Sequence, residues 1–165
     1  MGDVLPDILE PGLRLVVCGS AAGRRSAELG AYYAGPGNRF WPTLHSIGLT
    51  PMCLRPQDYA AIRDFGIGLT DMAKTAFGAD RDLRPGDSDA LRLRNWIVQN
   101  QPRILAFNGK RPARSFFGHV VPYGWQAGGD LGITRIFVAP STSGAARGFW
   151  NEDLWRELAD AVRAP

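Results

Sequence analysis

Cysteine and histidine are scarce in this 165-residue sequence, which contains two of each. Cys18 and Cys53 show neither C-x-x-C spacing nor a histidine at the spacing of a metal site. A disulfide framework and a zinc site are therefore not indicated. Cys18 lies within an apolar run, and we expect it to be a buried strand residue.

Long apolar runs are also missing. No run approaches the roughly 20 residues that a membrane-spanning helix requires. The first ten residues are acidic, whereas a signal peptide starts with a basic segment followed by an apolar one. We therefore expect a soluble, cytoplasmic protein with no membrane partner.

Lysine is nearly absent, because Lys74 and Lys110 are the only two among 19 cationic residues. Arginine favours bidentate contacts with phosphate, which points weakly to a nucleic acid as partner. A GC-rich genome that encodes arginine in place of lysine explains the same bias, and the net charge is only +3. Composition alone therefore leaves the partner open.

Nothing in the sequence divides it into parts, since it contains no linker, repeat or low-complexity segment. Hydrophobic residues make up 45% and charged residues 21%, values that are typical of a globular protein. We expect a single domain over residues 1–165 that acts as a monomer.

Short apolar runs alternate with amphipathic segments, a pattern that predicts strands alternating with helices. The predicted strands cover residues 13–18, 66–72, 103–107 and 134–139. The predicted helices cover residues 38–47, 57–64, 88–100 and 110–117, and a last one begins at an Asn151 cap. Such alternation favours a parallel sheet covered on both faces. The predicted fold is α/β, a three-layer sandwich with a central, mostly parallel four-stranded sheet flanked by helices.

Three of the predicted strands end in loops rich in Gly, Ser, Asn or Pro. In open α/β sheets, ligand sites lie beyond the carboxyl ends of the strands. We therefore expect the loops that follow Cys18, Phe107 and Ala139 to lie near one another, with the region around Asp71 beside them.

The first of these loops consists only of small residues, from Gly19 to Gly23. It matches neither the P-loop pattern nor G-x-G-x-x-G, which argues against the corresponding nucleotide sites. A bare backbone can instead bind the edge of a flat base while a ring stacks on its face, as in the recognition of flipped bases. Tyr32 or Tyr33 would supply that ring. The alternative is a pair of tyrosines that only pack within the loop.

A second loop of small residues, Ser141 to Arg147, suits close approach to a DNA backbone, with Arg147 placed for a phosphate. The alternative is a flexible connection between a strand and a helix. Lys110, at a predicted helix start, is either another phosphate contact or a solvated surface charge.

Four stretches together carry a resemblance that no single one would carry. They are "DILEPGLRLVVCG", "GAYYAGPGNRFWPTLHSIGLTP", "AFNGK" and "VAPSTSGAARGFW". In these stretches, over almost its whole length, the sequence resembles the uracil-DNA glycosylase superfamily, nearest to the mismatch-specific uracil/thymine branch. The resemblance implies a sheet between helices, no metal or organic cofactor, and hydrolysis of the N-glycosidic bond of a damaged base extruded from DNA.

The resemblance also assigns roles. The main chain of the first loop, with Gly19, Ser20 and Ala21, would grip the base, and Tyr33 falls where that branch has a stacking aromatic. Ser141 falls where relatives have an Asn or His that stabilises the departing base. The segment that would contact and wedge into the duplex is Ser143, Gly144, Ala145, Ala146 and Arg147.

Both loops depart from the family pattern, most importantly at Ala21. The mismatch branch usually has an Asn that holds the attacking water at the position of Ala21, and an alanine cannot orient water. Ala22 stands in place of the usual Pro, and Ala145 and Ala146 are smaller than the usual wedge residues. The sequence is also similar to the hypoxanthine-glycosylase branch, which depends on the Asn of its N-x-F-W segment.

Asn38 is that asparagine here and is the first candidate for catalysis, although an Asn before a helix is commonly only its N-cap. Asp71 is the second candidate, at a strand end that the superfamily uses for base recognition. Its carboxylate would accept the N3–H of uracil, or instead hold water or orient a neighbouring group. The alternative is an ordinary turn aspartate.

Two functions follow as hypotheses. The first is a monofunctional glycosylase of base excision repair, acting on DNA that contains uracil or another deaminated or mismatched base. The second is a protein that binds uracil or abasic DNA with little or no turnover. A nucleotide enzyme of similar fold is disfavoured because the phosphate motifs are missing.

Overall fold

The computed structural model describes residues 2–127 and 130–165. Within these residues, five strands form one sheet: Leu15–Gly19 (β1), Ile67–Asp71 (β2), Ile104–Asn108 (β3), Gly124–Trp125 (β4) and Arg135–Ala139 (β5). The same residues contain five α-helices: Arg24–Leu29 (α1), Phe40–Ser46 (α2), Ala90–Asn100 (α3), Lys110–Phe117 (α4) and Glu152–Arg163 (α5). Shorter 3₁₀ helices cover Pro56–Phe65, Asp80–Asp82, Pro85–Asp87 and Gly144–Phe149.

The strand order is β2-β1-β3-β5-β4. The pairs β1–β2, β1–β3 and β3–β5 are parallel, and β4 is antiparallel to β5. Alternate residues of β1 enter two separate cores, Leu15 and Val17 on one face and Val16 and Cys18 on the other. Burial on both faces explains why this strand is uniformly apolar.

The predicted α/β sandwich is confirmed, but the prediction of four strands was wrong. The fifth strand, β4, has only two residues, Gly124 and Trp125, which is too short for a periodic pattern. Helix α1 was also not predicted, because its sequence RRSAEL has no apolar stripe and buries only Ser26. By contrast, α4 was predicted with its correct bounds, and Asn151 caps α5 by accepting a hydrogen bond from the Asp153 N–H at 3.0 Å.

The N-terminal segment, residues 2–9, lies along β2. Ile8 and Leu69 exchange two main-chain hydrogen bonds of 2.9 Å, and the Val4 N–H donates to the Lys74 carbonyl at 2.7 Å. Gly68 permits this approach, since a Cβ there would lie 2.5 Å from the Ile8 carbonyl oxygen. The segment therefore covers β2, which is otherwise an edge strand.

The carboxyl ends of the parallel strands meet along one edge of the sheet. Gly19 pairs with Asp71 across β1 and β2, and Asn108 pairs with Ala139 across β3 and β5. The loops that follow these strands therefore share this edge, as expected. In the described part of the chain, no helix combines the length and the apolar composition needed to cross a membrane.

Candidate active site

Gly19 leaves a space at the end of β1 that two polar side chains enter. A Cβ on Gly19 would lie 2.7 Å from Asp71 Oδ1 and 3.1 Å from the hydroxyl oxygen of Tyr33. A contact of 2.7 Å is shorter than those that real Cβ atoms make, so this arrangement requires glycine. The structure thus brings three residues singled out in the sequence, Gly19, Tyr33 and Asp71, to one point.

The Asp71 carboxyl is 4% exposed. Among the described residues, its side chain takes part in no hydrogen bond and no ion pair. Burial raises the pKa of Asp71, the charges of Lys74 and Arg92 oppose the rise and the nearby Asp7 carboxylate adds to it, with a net pKa of about 7. At neutral pH the protonated and ionised forms of Asp71 are therefore both well populated, which suits proton transfer.

The Tyr33 hydroxyl is buried and has no hydrogen-bond partner among the described residues. Burial raises the pKa of Tyr33 well above its usual value, and the Asp71 carboxylate raises it further, so the hydroxyl stays protonated. The neighbouring Asn108 amide lowers the pKa of Tyr33. In the structure, however, this amide donates its hydrogen bond to Thr142 Oγ1 and not to the Tyr33 hydroxyl. A buried hydroxyl without a partner is costly, and it is a donor available to a ligand.

The backbone at Tyr33 is left-handed, with φ of 54°. Its ring stacks on Phe40 with centroids 4.0 Å apart and planes 28° apart. Left-handed conformations of non-glycine residues are unfavourable and occur often at functional sites. The stack on Phe40 holds one face of the ring, so Tyr33 is a fixed part of the site wall.

Asn108 is a buried polar residue that was not among the candidates taken from the sequence. Its amide donates to Thr142 Oγ1 at 2.9 Å and its carbonyl oxygen accepts from the Thr142 N–H at 3.0 Å. This reciprocal pair fixes the loop after β5 to the end of β3. The available signal was its position, since Asn108 ends a buried apolar strand as Asp71 does.

The first loop is bonded to the segment that follows β2. The carbonyls of Gly19, Ser20 and Ala22 accept from Met72, Ala73 and Gly78, at 2.8, 2.8 and 2.9 Å. Ala21 lies between these anchored positions and is partly exposed. The main chain of the loop is therefore held in one orientation beside Asp71.

Asn38 has a defined structural role. Its side-chain oxygen accepts from the Phe40 N–H at 3.0 Å, at the start of α2. The helix thus begins at Phe40 rather than at Asn38, and Asn38 satisfies one of its free N–H groups. The amide nitrogen of Asn38 donates to no described residue, so a catalytic role for it stays a prediction.

The predicted DNA-contacting segment forms one wall of a surface cleft. The cleft has a volume of about 610 Å³ and is lined by Pro36, Gly37, Arg39, Ser143, Gly144, Ala145 and Arg147. Its two sides are joined where the Arg39 N–H donates to the Thr142 carbonyl at 2.9 Å. A Cβ on Gly144 would lie 3.4 Å from the carbonyl oxygens of Pro36 and Gly37, so the two loops nearly touch.

The other predicted residues have local contacts. Ser141 Oγ accepts from the Ser143 N–H at 3.2 Å, and Ser143 Oγ accepts from the Ala145 N–H at 3.3 Å. Both hydroxyl hydrogens stay available as donors. Lys110 extends over the Tyr123 ring, with its ammonium nitrogen 4.5 Å from the centroid, and no contact joins it to the Gly19–Asp71 point. Ala146 and Arg147 lie in the 3₁₀ helix Gly144–Phe149.

Metal ligands do not cluster in the described ranges, 2–127 and 130–165: they contain no group of three or more His, Cys, Asp or Glu side chains that could hold an ion. The groups at the Gly19–Asp71 point are a carboxyl group, the Tyr33 hydroxyl, the neighbouring Asn108 amide and main-chain groups. Such a set can accept a proton, orient water and donate hydrogen bonds to a carbonyl oxygen.

Comparison with known proteins gives two findings. The family model of the uracil DNA glycosylase superfamily matches residues 6–160. The chain is also similar to a protein of Methanosarcina acetivorans that was solved by solution NMR and provisionally assigned as a uracil DNA glycosylase. The two share 22% identity over 97% of each chain, with a TM-score of 0.62. At this identity the likeness shows a common fold.

Proposed function

Because the chain belongs to the uracil DNA glycosylase superfamily, we propose that it is a monofunctional DNA glycosylase that hydrolyses the N-glycosidic bond of uracil, leaving an abasic site. The observation that supports this most strongly is that the Asp71 carboxyl and the Tyr33 hydroxyl meet over Gly19, and that this hydroxyl is buried with no partner among the described residues. A base rotated out of the duplex would supply the missing partners.

The reaction builds positive charge on the sugar and negative charge on the departing base. We assign the ionised Asp71 carboxylate to the water: it accepts a proton as the water oxygen bonds to C1′. The C1′–N bond breaks, and its electron pair leaves with the base. The same carboxylate stabilises the positive character of the sugar through its charge.

The negative charge on the base would be stabilised by donors. The Tyr33 hydroxyl has no competing partner, and the Ser141 hydroxyl keeps its hydrogen free while its oxygen accepts from Ser143. One such donor lowers the barrier by about 3 kcal/mol in a typical enzyme. These donors would allow slow turnover even though Ala21 cannot hold water.

The branch within the superfamily is part of the proposal. Asn38 in its N-x-F-W context favours activity on hypoxanthine as well as on uracil, whereas the second loop favours the mismatch-specific branch. Small wedge residues, Ala145 and Ala146, favour bases that leave the stack easily, in single strands or unstable pairs. The second candidate function, binding without turnover, is favoured by Ala21.

An oligonucleotide assay separates the two functions. Purified protein is incubated with strands that contain one uracil in single-stranded DNA, opposite guanine or opposite adenine, with hypoxanthine and G·T mismatch strands in parallel. We expect cleavage only after hot alkali, as for a glycosylase without lyase activity. A gel shift with no cleavage at any enzyme excess would instead identify a binding protein.

Asn38 is predicted to combine capping with catalysis. In Asn38→Ala, we expect base release to fall about 100-fold and the free energy of unfolding to fall by about 1 kcal/mol as the cap is lost. Asn38→Asp retains an oxygen for the Phe40 N–H, so it should restore stability but not activity. Single-turnover kinetics and urea unfolding measure the two effects. Full activity in Asn38→Asp would show that Asn38 acts only as the cap of α2.

Arg147 is predicted to contact a DNA phosphate from the cleft. Arg147→Ala should weaken binding to uracil and uracil-free DNA alike, and should reduce the slope of log K against log salt by about 1. Fluorescence anisotropy at several salt concentrations measures this. Arg63→Ala is the matched control, because Arg63 is exposed before the amino end of β2. Equal slopes for the two variants would refute the contact.

A further inference from the structure

A cluster of charged groups lies behind Asp71, and Asp7 of the N-terminal segment is at its centre. Asp7 Oδ1 accepts from Lys74 Nζ and from Thr70 Oγ1, both at 2.7 Å. Asp7 Oδ2 accepts from the Arg92 guanidinium at 3.0 Å. Lys74 is 7% exposed, and a buried ammonium is costly unless it is paired and hydrogen-bonded, as it is here.

The two cations are held away from the Asp71 carboxyl group. Lys74 Nζ donates to the Tyr32 hydroxyl at 3.2 Å in addition to Asp7. Arg92 donates to the main-chain carbonyl of Asp71 at 2.8 Å and to Thr70 Oγ1 at 3.3 Å. In the described part of the chain, neither cation forms an ion pair with the Asp71 carboxylate.

We propose that Asp7 is a positioning residue: by binding Lys74 and Arg92 with its two oxygens, it keeps both cations from pairing with Asp71, whose carboxyl group stays free for the substrate side of the site. Lys74 follows Asp71 by only three residues and is buried beside it. The charge of this ammonium already acts on the Asp71 carboxyl, so without Asp7 that carboxyl would become its partner. This inference rests on the proposed function, in which Asp71 takes a proton from water.

The surroundings of Asp71 support the proposal. Six titratable groups act on Asp71 or lie against it. Cys18 belongs to β1, Tyr32 and Tyr33 to the segment after α1, and Asp7 to the N-terminal segment; Lys74 follows β2 and Arg92 belongs to α3. Burial and the Asp7 charge raise the pKa of Asp71, whereas Lys74 and Arg92 lower it. Asp7 is the charged group that raises the pKa of Asp71, and its charge can be removed without filling or emptying the site.

The variant Asp7→Asn tests the proposal. The titration of Asp71 is followed by carbon-13 NMR of labelled aspartate side chains, with its signal assigned through its loss in Asp71→Asn. We expect the pKa of Asp71 to fall by about one unit or more, because the Asp7 charge is lost and two cations are released toward Asp71. The pH profile of base release should move to lower pH by the same interval. Asp3→Asn, an exposed change in the same segment, should alter neither.

A second pair of variants controls for folding. In Lys74→Met the ammonium is absent, so adding Asp7→Asn should lower the pKa of Asp71 less than it does in the wild type, since only Arg92 is released. An unchanged pKa in folded Asp7→Asn, or an equal fall with and without Lys74, would overturn the proposal. Loss of folding in both Asp7 variants would also overturn it, in favour of a purely structural role. Because the NMR titration needs no substrate, a shifted pKa without base release would count against the proposed function alone.

Discussion

Asp71→Asn is expected to reduce base release by about 10²- to 10⁴-fold, the usual contribution of a general acid or base. The substitution keeps the shape of the side chain but leaves no group that can accept the proton of the attacking water. Single-turnover measurements on a uracil oligonucleotide would show the loss. Asp64→Asn is the matched control, because Asp64 is exposed shortly before β2. Equal rates for the two variants would remove Asp71 from the mechanism.

The same variant should be more stable than the wild type above neutral pH. Because the folded pKa of Asp71 is raised to about 7 from 3.8, folding favours the protonated form. The stabilisation of the fold by protonated Asp71 is fully present below about pH 4 and is lost as the pH rises through about 7. At one pKa unit per 1.36 kcal/mol, the loss amounts to at most about 4 kcal/mol.

Urea unfolding of both proteins from pH 4 to pH 8 measures this effect. We expect the stability difference between Asp71→Asn and the wild type to increase over that range in favour of the variant. A constant difference would show that Asp71 titrates at its ordinary pKa. A stability cost at a residue proposed to support activity would match a common compromise in enzymes.

Gly19→Ala is expected to reduce base release at least about 100-fold. The added methyl group would lie 2.7 Å from Asp71 Oδ1 and 3.1 Å from the Tyr33 hydroxyl, so one of these groups must move. A displacement of about 1 Å at a reacting group commonly costs two orders of magnitude in rate. The clash should also lower the free energy of unfolding by about 1 to 3 kcal/mol.

Gly23→Ala is a sharp control for this prediction. Gly23 lies in the same loop, has φ of −67°, and a Cβ there would meet nothing within 4 Å. Kinetics and unfolding of the two variants, measured together, separate steric crowding at the site from a general intolerance of the loop to side chains. Similar rates for Gly19→Ala and Gly23→Ala would contradict a base-binding position over Gly19.

Much of the architecture was predictable because apolar periodicity reports burial directly. The strands that became β1 and β3 are buried on both faces, and helix α4 shows a regular apolar stripe. Strand β4 and helix α1 were missed because neither is long or apolar enough to produce a pattern. Their positions depend on tertiary contacts, which a local reading of the sequence does not contain.

The site was predictable in part for a different reason. Gly19 and Asp71 follow apolar runs, so topology alone brings them to one edge. The sequence could not show that Asp7, 64 residues before Asp71, lies behind it, or that Arg92 reaches its main chain. Those contacts arise from how the N-terminal segment and α3 pack on β2. The sequence indicated that the Tyr33 ring lies beside the first loop, but it did not indicate that the Tyr33 hydroxyl lies over Gly19.

The reciprocal bonds between Asn108 and Thr142 tie together positions 34 residues apart. Replacing either side chain alone would strand a buried polar group on the other, which costs about 1 to 3 kcal/mol. A double-mutant cycle should therefore give a favourable coupling energy, and a tolerated change at one position should require a compensating change at the second. The two segments would consequently be exchanged between homologues only as a matched pair.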